Sequence, residues 1–319
     1  MSMKKLCETI KHHRRFLIST HVNPDPDALG SQLALADYLR AEGKQVVAIN
    51  DELLPARFHF LPGARKVKAY HKNMRPSFDV ALILDCGDFN RIGRVASLIK
   101  PGHRIVNIDH HITNHAFGDV NLVCPGASST SEVIYRLLRR VGFRMTKNVA
   151  LLLYVGIMTD TGSFRYDNTS AYTHTVVSRL MRYGFSVSTV YQQLYESIPL
   201  SDISYFTKVV STFEPLYSGR VICLELPGKV LKKFSREFDL RDKIFRYLRA
   251  IKGAEVLVIL TEIGPQQTRV NLRSQGMVNV AQIAHHFDGG GHRRAGGCFI
   301  VRSLPEARRM VLTKIRQAL

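Results

Sequence analysis

The segment HVNPDPDALG, residues 21–30, places a histidine and two aspartates within seven positions, directly after an apolar run. His21, Asp25 and Asp27 all carry side chains that bind cations or exchange protons. Carboxylates this close together raise one another's pKa values unless a positive charge lies between them. Carboxylate and imidazole ligands together suit Mn²⁺, Mg²⁺ or Zn²⁺. The segment therefore predicts part of a metal site.

Similar side chains recur at three later places. The apolar run DVALILD ends at Asp85, and the run RIVNID ends at Asp109, which His110 and His111 follow. Asp160 lies in the turn-like segment GIMTDTGSF, after an apolar helical run. Two cations about 3.5–4 Å apart are the usual arrangement for phosphoester hydrolysis. If these side chains meet in space, they predict a two-metal site of that kind.

Each feature also has an ordinary structural explanation. An aspartate before a helix, such as Asp27, is most often a helix cap. Adjacent histidines are usually solvated, and we interpret His12-His13 and His285-His286 in this way because neither pair follows a strand pattern. The recurrence of acids at the ends of several apolar runs is what favours the metal site.

The elements that must position these residues alternate between strand and helix patterns. RFLIST, QVVAIN, DVALILD and RIVNID are continuous apolar runs, and Leu29, Leu33, Ala36 and Leu39 repeat at helical spacing after the first. Continuous apolar strands separated by helices indicate a parallel sheet that is covered on both faces. The carboxyl ends of such strands form one edge, where ligands bind. We therefore expect the acids and histidines to converge there.

Composition narrows the class of protein. The 319 residues carry a formal net charge of +19, which indicates a polyanionic partner such as nucleic acid or nucleotides, with a generally solubilising surface as the alternative. The five cysteines include no CxxC pair, which argues against a disulfide framework and favours a reducing cytoplasm. The longest apolar run, residues 149–158, is too short to span a bilayer, so we expect no membrane association.

The chain changes character near residue 200, where new strand patterns begin. We predict an α/β protein with three parts. A Rossmann-like domain at 1–195 holds a mostly parallel sheet flanked by helices, and a helical connector follows at 196–212. A smaller α/β domain at 213–319 lies across a cleft and carries the segment GGGHRRAGG.

The motifs together resemble those of the DHH phosphoesterases. That family carries an H-x-N-x-D-x-D-x-[LI]-G stretch, an isolated aspartate after a strand, a D-H-H triplet, a later aspartate, and GGGH-x-x-A-G in an associated substrate-binding domain. All of these occur here in the same order, over essentially the whole chain. The length and layout are most similar to the short oligoribonuclease and pAp-phosphatase branch, the nanoRNases.

The resemblance implies roles for individual residues. One metal would be held by His21, Asp25 and Asp85, and the other by Asp27, Asp85, His110 and Asp160. Asp85 would bridge the two ions, Asp109 would orient a histidine, and His111 would contact the scissile phosphate or assist the leaving group. Two divalent cations are implied, with Mn²⁺ as the usual metal of the family and Mg²⁺ or Co²⁺ as alternatives.

Substrate contacts are expected at further positions. Consecutive glycines expose backbone N–H groups, which can form a concavity that suits a phosphate. Arginine is the favoured side chain for bidentate phosphate binding. The predicted contacts are Arg91, Arg273, Ser274, Gly290, Gly291, His292 and Arg294.

The resemblance implies a phosphodiesterase that degrades very short oligoribonucleotides, including linear dinucleotides such as pGpG and pApA, to mononucleotides, with a further 3′-phosphatase activity on pAp. Alternatives are a cyclic-dinucleotide phosphodiesterase, a RecJ-like exonuclease acting on short single-stranded DNA, and a catalytically silent nucleotide-binding protein. The sequence leaves open whether the chain forms a homodimer.

Overall fold

The computed structural model describes residues 2–196, 199–234, 238 and 240–319. The chain divides into two units, Met1–Glu196 and Ser197–Leu319. The family-like motifs of the metal site all lie in the first unit, and GGGHRRAGG lies in the second.

The first unit is built on a parallel sheet. Its strands are β1 (Arg15–Thr20), β2 (Gln45–Asn50), β3 (Lys68–Ala69), β4 (Val80–Leu84), β5 (Arg104–Asp109) and β6 (Val120–Val123). Their order across the sheet is β3-β2-β1-β4-β5-β6, and every neighbouring pair is parallel. The predicted parallel sheet is therefore confirmed, with β1, β4 and β5 side by side at its centre.

The α-helices of the first unit are α1 (Ser2–His12), α2 (Pro26–Ala41), α3 (Thr130–Arg140), α4 (Lys147–Asp160), α5 (Ala171–Met181) and α6 (Val187–Tyr195). Alternate strand residues face two different cores. Phe16 and Ile18 of β1 pack in the core that contains α2, α3 and α4, whereas Leu17 faces the other side. That second face is covered largely by a 3₁₀ stretch, Phe89–Leu98, rather than by α-helices. Burial on both faces explains why the strands read as continuous apolar runs.

The second unit contains a mixed sheet. Its elements are α7 (Leu200–Val210), β7 (Glu214–Leu216), β8 (Val221–Leu226), α8 (Gly228–Leu231), α9 (Leu240–Leu248), β9 (Val256–Gly264), β10 (Gln267–Ser274), α10 (Val280–His285), β11 (Gly290–His292), β12 (Ala295–Ile300) and α11 (Leu304–Ala318). The strand order is β11-β12-β10-β9-β8-β7, in which only β8 and β9 pair in parallel. Helices α10 and α11 cover one face of this sheet, and α7 and α9 cover the other.

The segment predicted as a connector, 196–212, contains α7. Val209 and Val210, at the end of this helix, pack into the core formed by α9 and one face of the sheet. Residues 197 and 198 lie outside the described part of the chain. Within the described residues, every helix is too short or too polar to cross a membrane.

Candidate metal centre

Three central strands of the first unit deliver chemical groups to one edge of the sheet. His21 follows β1, Asp85 follows β4, and Asp109 ends β5. His21 Nε2 lies 3.6 Å from Asp85 Oδ2, and His110 Nε2 lies 3.7 Å from Asp85 Oδ1. The side chain of Asp85 is only 3% exposed. This buried carboxylate is therefore the centre of the group, with histidines from both neighbouring strands around it.

Six residues with potential ligand atoms form two neighbouring sets. His21, Asp25 and Asp85 each offer an atom within 4.8 Å of the others, and Asp27, His110 and Asp160 do the same. Because Asp85 also lies close to His110, it joins the two sets. The structure thus brings together the residues predicted to hold metal, although they are spread over 140 positions of the sequence.

Both histidines of these sets are oriented in the same way. Nδ1 of His21 lies 2.8 Å from the carbonyl oxygen of Val22, and Nδ1 of His110 lies 3.3 Å from that of Ala127. When Nδ1–H donates to a backbone carbonyl, Nε2 is directed at the carboxylates and can bind a metal ion once it has lost its proton. Metal-binding histidines usually have a partner of this kind on the other ring nitrogen.

Asp25 and Asp27 differ from their expected local roles. Asp25, rather than Asp27, caps α2, because its Oδ1 accepts hydrogen bonds from the N–H groups of Asp27 and Ala28, both at 2.9 Å. Asp27 reaches across to the start of α3, where its two oxygens accept from Thr130 N at 2.7 Å and Ser131 N at 2.9 Å. The interpretation of Asp27 as the cap of its own helix is therefore wrong.

The backbone of Asp85 is also unusual. It has a φ of 55°, in the left-handed region that side chains other than glycine rarely adopt. Strained conformations of this kind occur at functional sites, where the surrounding structure holds them in place. Thr130 contributes here, because its hydroxyl donates to Asp85 Oδ1 at 2.9 Å.

Asp109 lies beside Asp85 and holds His111. Its Oδ1 lies 2.7 Å from His111 Nδ1, and its Oδ2 accepts a hydrogen bond from Asn114 at 2.6 Å. The side chain of Asp109 is fully buried. Burial alone would lower the pKa of His111, but its hydrogen bond to Asp109 and the charge of Asp85 raise that pKa above its usual value. The pair therefore presents a fixed imidazole that favours the protonated form.

A polar segment at the start of α3 supports the centre, and sequence reasoning missed it. Ser128–Glu132 supplies the hydrogen bonds to Asp27 and Asp85, and buried Glu132 braces it. Glu132 Oε2 accepts from Ser128 Oγ at 2.6 Å and from Thr173 Oγ1 at 3.0 Å, and its Oε1 accepts from Arg136. The run SSTSE could have indicated this only as an ordinary helix start with a capping serine.

The electrostatics of the group suit a cation. Burial and the charge of Asp85 raise the pKa of Asp27 to about 7. Burial and the charges of Asp27 and Asp25 raise the pKa of Asp160. Burial would also raise the pKa of Asp85, but the hydrogen bond from His21 and the nearby His111 and His110 hold it below its usual range.

Anions gathered in a buried site cost free energy unless positive charge compensates them. Carboxylate oxygens and imidazole nitrogens are donors that divalent transition-metal ions accept. On this structure, the residues present therefore fit two divalent cations.

Two glycines make room for the centre. A Cβ at Gly30 would lie 2.5 Å from the carbonyl oxygen of Leu152, so this glycine allows α2 and α4 to pack closely. A Cβ at Gly156 would lie 2.0 Å from Ser131 Oγ and 2.6 Å from Asp27 Oδ1. The absence of a side chain at Gly156 thus leaves space for the Asp27 carboxylate.

Arg91 lies near the same edge. It is exposed, and its carbonyl oxygen accepts a hydrogen bond from Val22 N at 2.7 Å, which ties its loop to the loop of His21. Burial and, to a smaller extent, the positive charge of Arg91 lower the pKa of His21, but the hydrogen bond to Asp85 and the charges of Asp25 and Asp85 raise that pKa above its usual value. Within the described residues the Arg91 guanidinium forms no ion pair.

The predicted contacts of the second unit gather at one end of its sheet. Arg273 and His292 both lie opposite Ala295 in the strand register, and Ser274 N donates to Arg294 O at 3.0 Å. The Arg273 guanidinium lies 4.8 Å from the centre of the Phe245 ring. Ser274 is buried, whereas Arg294 is exposed.

The glycine-rich segment forms a short hairpin. Gly290 and Gly291 belong to β11, which pairs with β12 in a hairpin. A Cβ at Gly291, where φ is 137°, would lie 2.2 Å from the carbonyl oxygen of Ala295. A Cβ at Gly296 would lie 2.7 Å from that of Val280. Close pairing within the hairpin therefore accounts for Gly291 sterically, and close packing of the hairpin on α10 accounts for Gly296.

Comparison with known proteins gives concordant results. The model of the DHH family, N-terminal domain, matches residues 15–157. The chain is similar to the bifunctional oligoribonuclease and PAP phosphatase NrnA of Thermus thermophilus, with 31% identity over 95% of this chain and 89% of the relative. It is also similar to the protein of that name from Bacillus subtilis, with 29% identity over 93% of this chain and 92% of the relative.

Solved structures agree on the fold. An exopolyphosphatase-related protein from Bacteroides fragilis superposes with a TM-score of 0.87 and 24% identity, over 99% of this chain and 96% of that chain. RecJ from Thermus thermophilus, crystallised with Mn²⁺, gives a TM-score of 0.53 and 14% identity, over 99% of this chain and 54% of that chain.

Proposed function

Because this chain belongs to the DHH family and is a hydrolase that acts on phosphoester bonds, we propose that it degrades very short oligoribonucleotides to mononucleotides and removes the 3′-phosphate from pAp. The observation that carries the proposal is the buried group centred on Asp85, in which carboxylates and imidazoles from separate strands and helices surround one carboxylate. The choice of substrate is supported by the names of the two relatives, which match nearly the whole chain.

The proximity of the ligand atoms supports two sets of metal ligands. His21, Asp25 and Asp85 would hold one divalent cation, and Asp27, Asp85, His110 and Asp160 the other. Mn²⁺ is the metal we propose, with Mg²⁺ and Co²⁺ as alternatives, because imidazole ligands favour transition metals. When bound, the cations would polarise the phosphoester and supply a nucleophile at neutral pH.

Two further residues at this edge of the parallel sheet would act on the substrate: one would bind its phosphate, and the other would protonate the departing oxygen. Arg91, which has no carboxylate partner among the described residues, would bind a phosphate oxygen. Asp109 fixes His111 through Nδ1, so the proton for the departing oxygen would come from Nε2. A leaving ribose oxygen needs that proton, because an alkoxide is a poor leaving group.

Recognition of the nucleotide would fall to the second unit. Arg273, His292 and Arg294 lie at the same end of its sheet and present donors of the kind that bind phosphate and ribose. Ser274 is buried beside them and would act through its backbone and hydroxyl rather than as an exposed side chain.

The proposal is tested by a product time course with Mn²⁺ on end-labelled RNAs of two to about twenty nucleotides. The same panel includes pAp, a cyclic dinucleotide and a short single-stranded DNA. We expect mononucleotides from RNA two-mers to five-mers and phosphate from pAp, with much slower loss of the long RNAs. Preferential cleavage of the cyclic dinucleotide or of the DNA would favour the corresponding alternative. Binding without turnover in any metal would contradict the enzymatic role.

A further inference from the structure

The second unit contains a pocket that none of the predicted substrate contacts lines. It has a volume of about 630 Å³ and lies between the start of α10, the hairpin turn that joins β11 to β12, and the last turns of α11. Ligand pockets typically measure about 300–1,000 Å³, so this one is large enough for a mononucleotide.

Two cations without a partner line the pocket. Arg293 is exposed in the two-residue turn of the hairpin, and Val280 N donates to its carbonyl oxygen at 3.0 Å, which holds the turn against α10. Lys314 is half-buried near the end of α11. Within the described residues neither side chain forms an ion pair or a hydrogen bond, and the lining of the pocket contains no acid. Among the described residues no acid compensates these two charges, so they are available to an anion.

The uncharged lining suits the rest of a nucleotide. Gln282 of α10 and His286, directly after this helix, lie one turn apart and present polar groups of both donor and acceptor type. Beside them, Met277 is 81% exposed, and Val278 and Ile283 form a buried apolar wall. A phosphate alone would contact only the basic part. A planar base would also cover the apolar surface, because methionine makes favourable contacts with flat aromatic rings.

We propose that the pocket lined by Arg293, Lys314, Gln282 and Met277 binds a nucleoside phosphate, with the phosphate on the two cations and the base on the apolar wall. This site shares no residue with the proposed metal centre or with the predicted substrate contacts. It would give the protein a second nucleotide-binding site, in addition to the one at which phosphoesters are hydrolysed.

The test uses the full chain in the presence of a chelator, so that no turnover occurs, with AMP as the probe. Hydrogen exchange resolves the pocket from every other nucleotide site. AMP should slow exchange in segments 277–286 and 314–318. The double variant Arg293→Ala, Lys314→Ala should weaken this protection by at least about tenfold in Kd, because two charge-assisted contacts are lost. Thermal unfolding checks that the variant is folded.

The matched control is Arg309→Ala, Arg316→Ala, which removes two exposed positive charges from the same helix, outside the pocket. It should keep the protection unchanged. Inorganic phosphate should protect the same segments about tenfold less tightly than AMP, because it lacks a base. The proposal is overturned if AMP leaves these segments unprotected, if the double variant keeps the wild-type Kd, or if phosphate binds as tightly as AMP.

Discussion

Asp109 and His111 form a closely hydrogen-bonded pair at the metal centre. The short contact between Oδ1 and Nδ1, and the second support from Asn114, leave the imidazole with one orientation. A proton donor matters most when the leaving group is a poor one. The role of the pair can therefore be separated from metal binding by the choice of substrate.

We expect Asp109→Asn to slow cleavage of an RNA dinucleotide by about a hundredfold, the usual contribution of general acid catalysis. A nitrophenyl phosphodiester, whose leaving group needs no proton, should lose far less activity. The measurement is kcat on both substrates with saturating Mn²⁺. Equal losses on the two substrates would show that Asp109 serves the metal centre as a whole.

For individual residues, the sequence predicted which acids and histidines would lie close together, because strands of a parallel sheet end at a common edge. It could not predict Thr130, Ser131 or Glu132. Serines, threonines and a glutamate at a helix start are explained locally by capping. Only the tertiary structure shows that the N–H groups of this start bind Asp27, which lies about one hundred residues earlier.

At the scale of elements, the centre depends on the close approach of three helices. α2 carries Asp27, α3 supplies the donors to it, and α4 carries Gly156 beside both. Apolar periodicity indicated these helices. It does not show which helix faces pack so closely that only a glycine fits between them. Gly156 stands in the apolar run of α4 and gave no signal of its own.

Gly156→Ala should disable the centre, because its Cβ would overlap Ser131 Oγ and approach Asp27 Oδ1 within 2.6 Å. A displacement of a catalytic group by 1 Å can cost about a hundredfold in rate, and we expect a loss of that order in kcat with Mn²⁺. The control is Gly126→Ala, where an added Cβ meets nothing within 4 Å. Wild-type activity in Gly156→Ala, with both variants folded by circular dichroism, would contradict this account of Asp27.

At the scale of the whole molecule, each unit has its own sheet and its own cores. The alternation of strands and helices was enough to predict the parallel sheet of the first unit. In the second unit the consecutive glycines did not predict the β11–β12 hairpin. Glycines permit many backbone conformations, so the pairing of two short strands could not be read from composition.

Because the two units have separate cores, we expect metal binding to change the stability and hydrogen exchange of the first unit only. Mn²⁺ added to chelator-treated protein should stabilise the first unit by about 2.7 kcal/mol at a concentration one hundred times its Kd, because a ligand that binds only the folded state stabilises it by mass action. Hydrogen exchange should slow at the ends of β1, β4 and β5, and should stay unchanged in β8 and β9. Asp85→Asn should lose the effect, because it removes the charge that joins the two ligand sets. If Mn²⁺ protects the variant as well as the wild type, the ions bind elsewhere and the centre described here is not the metal site.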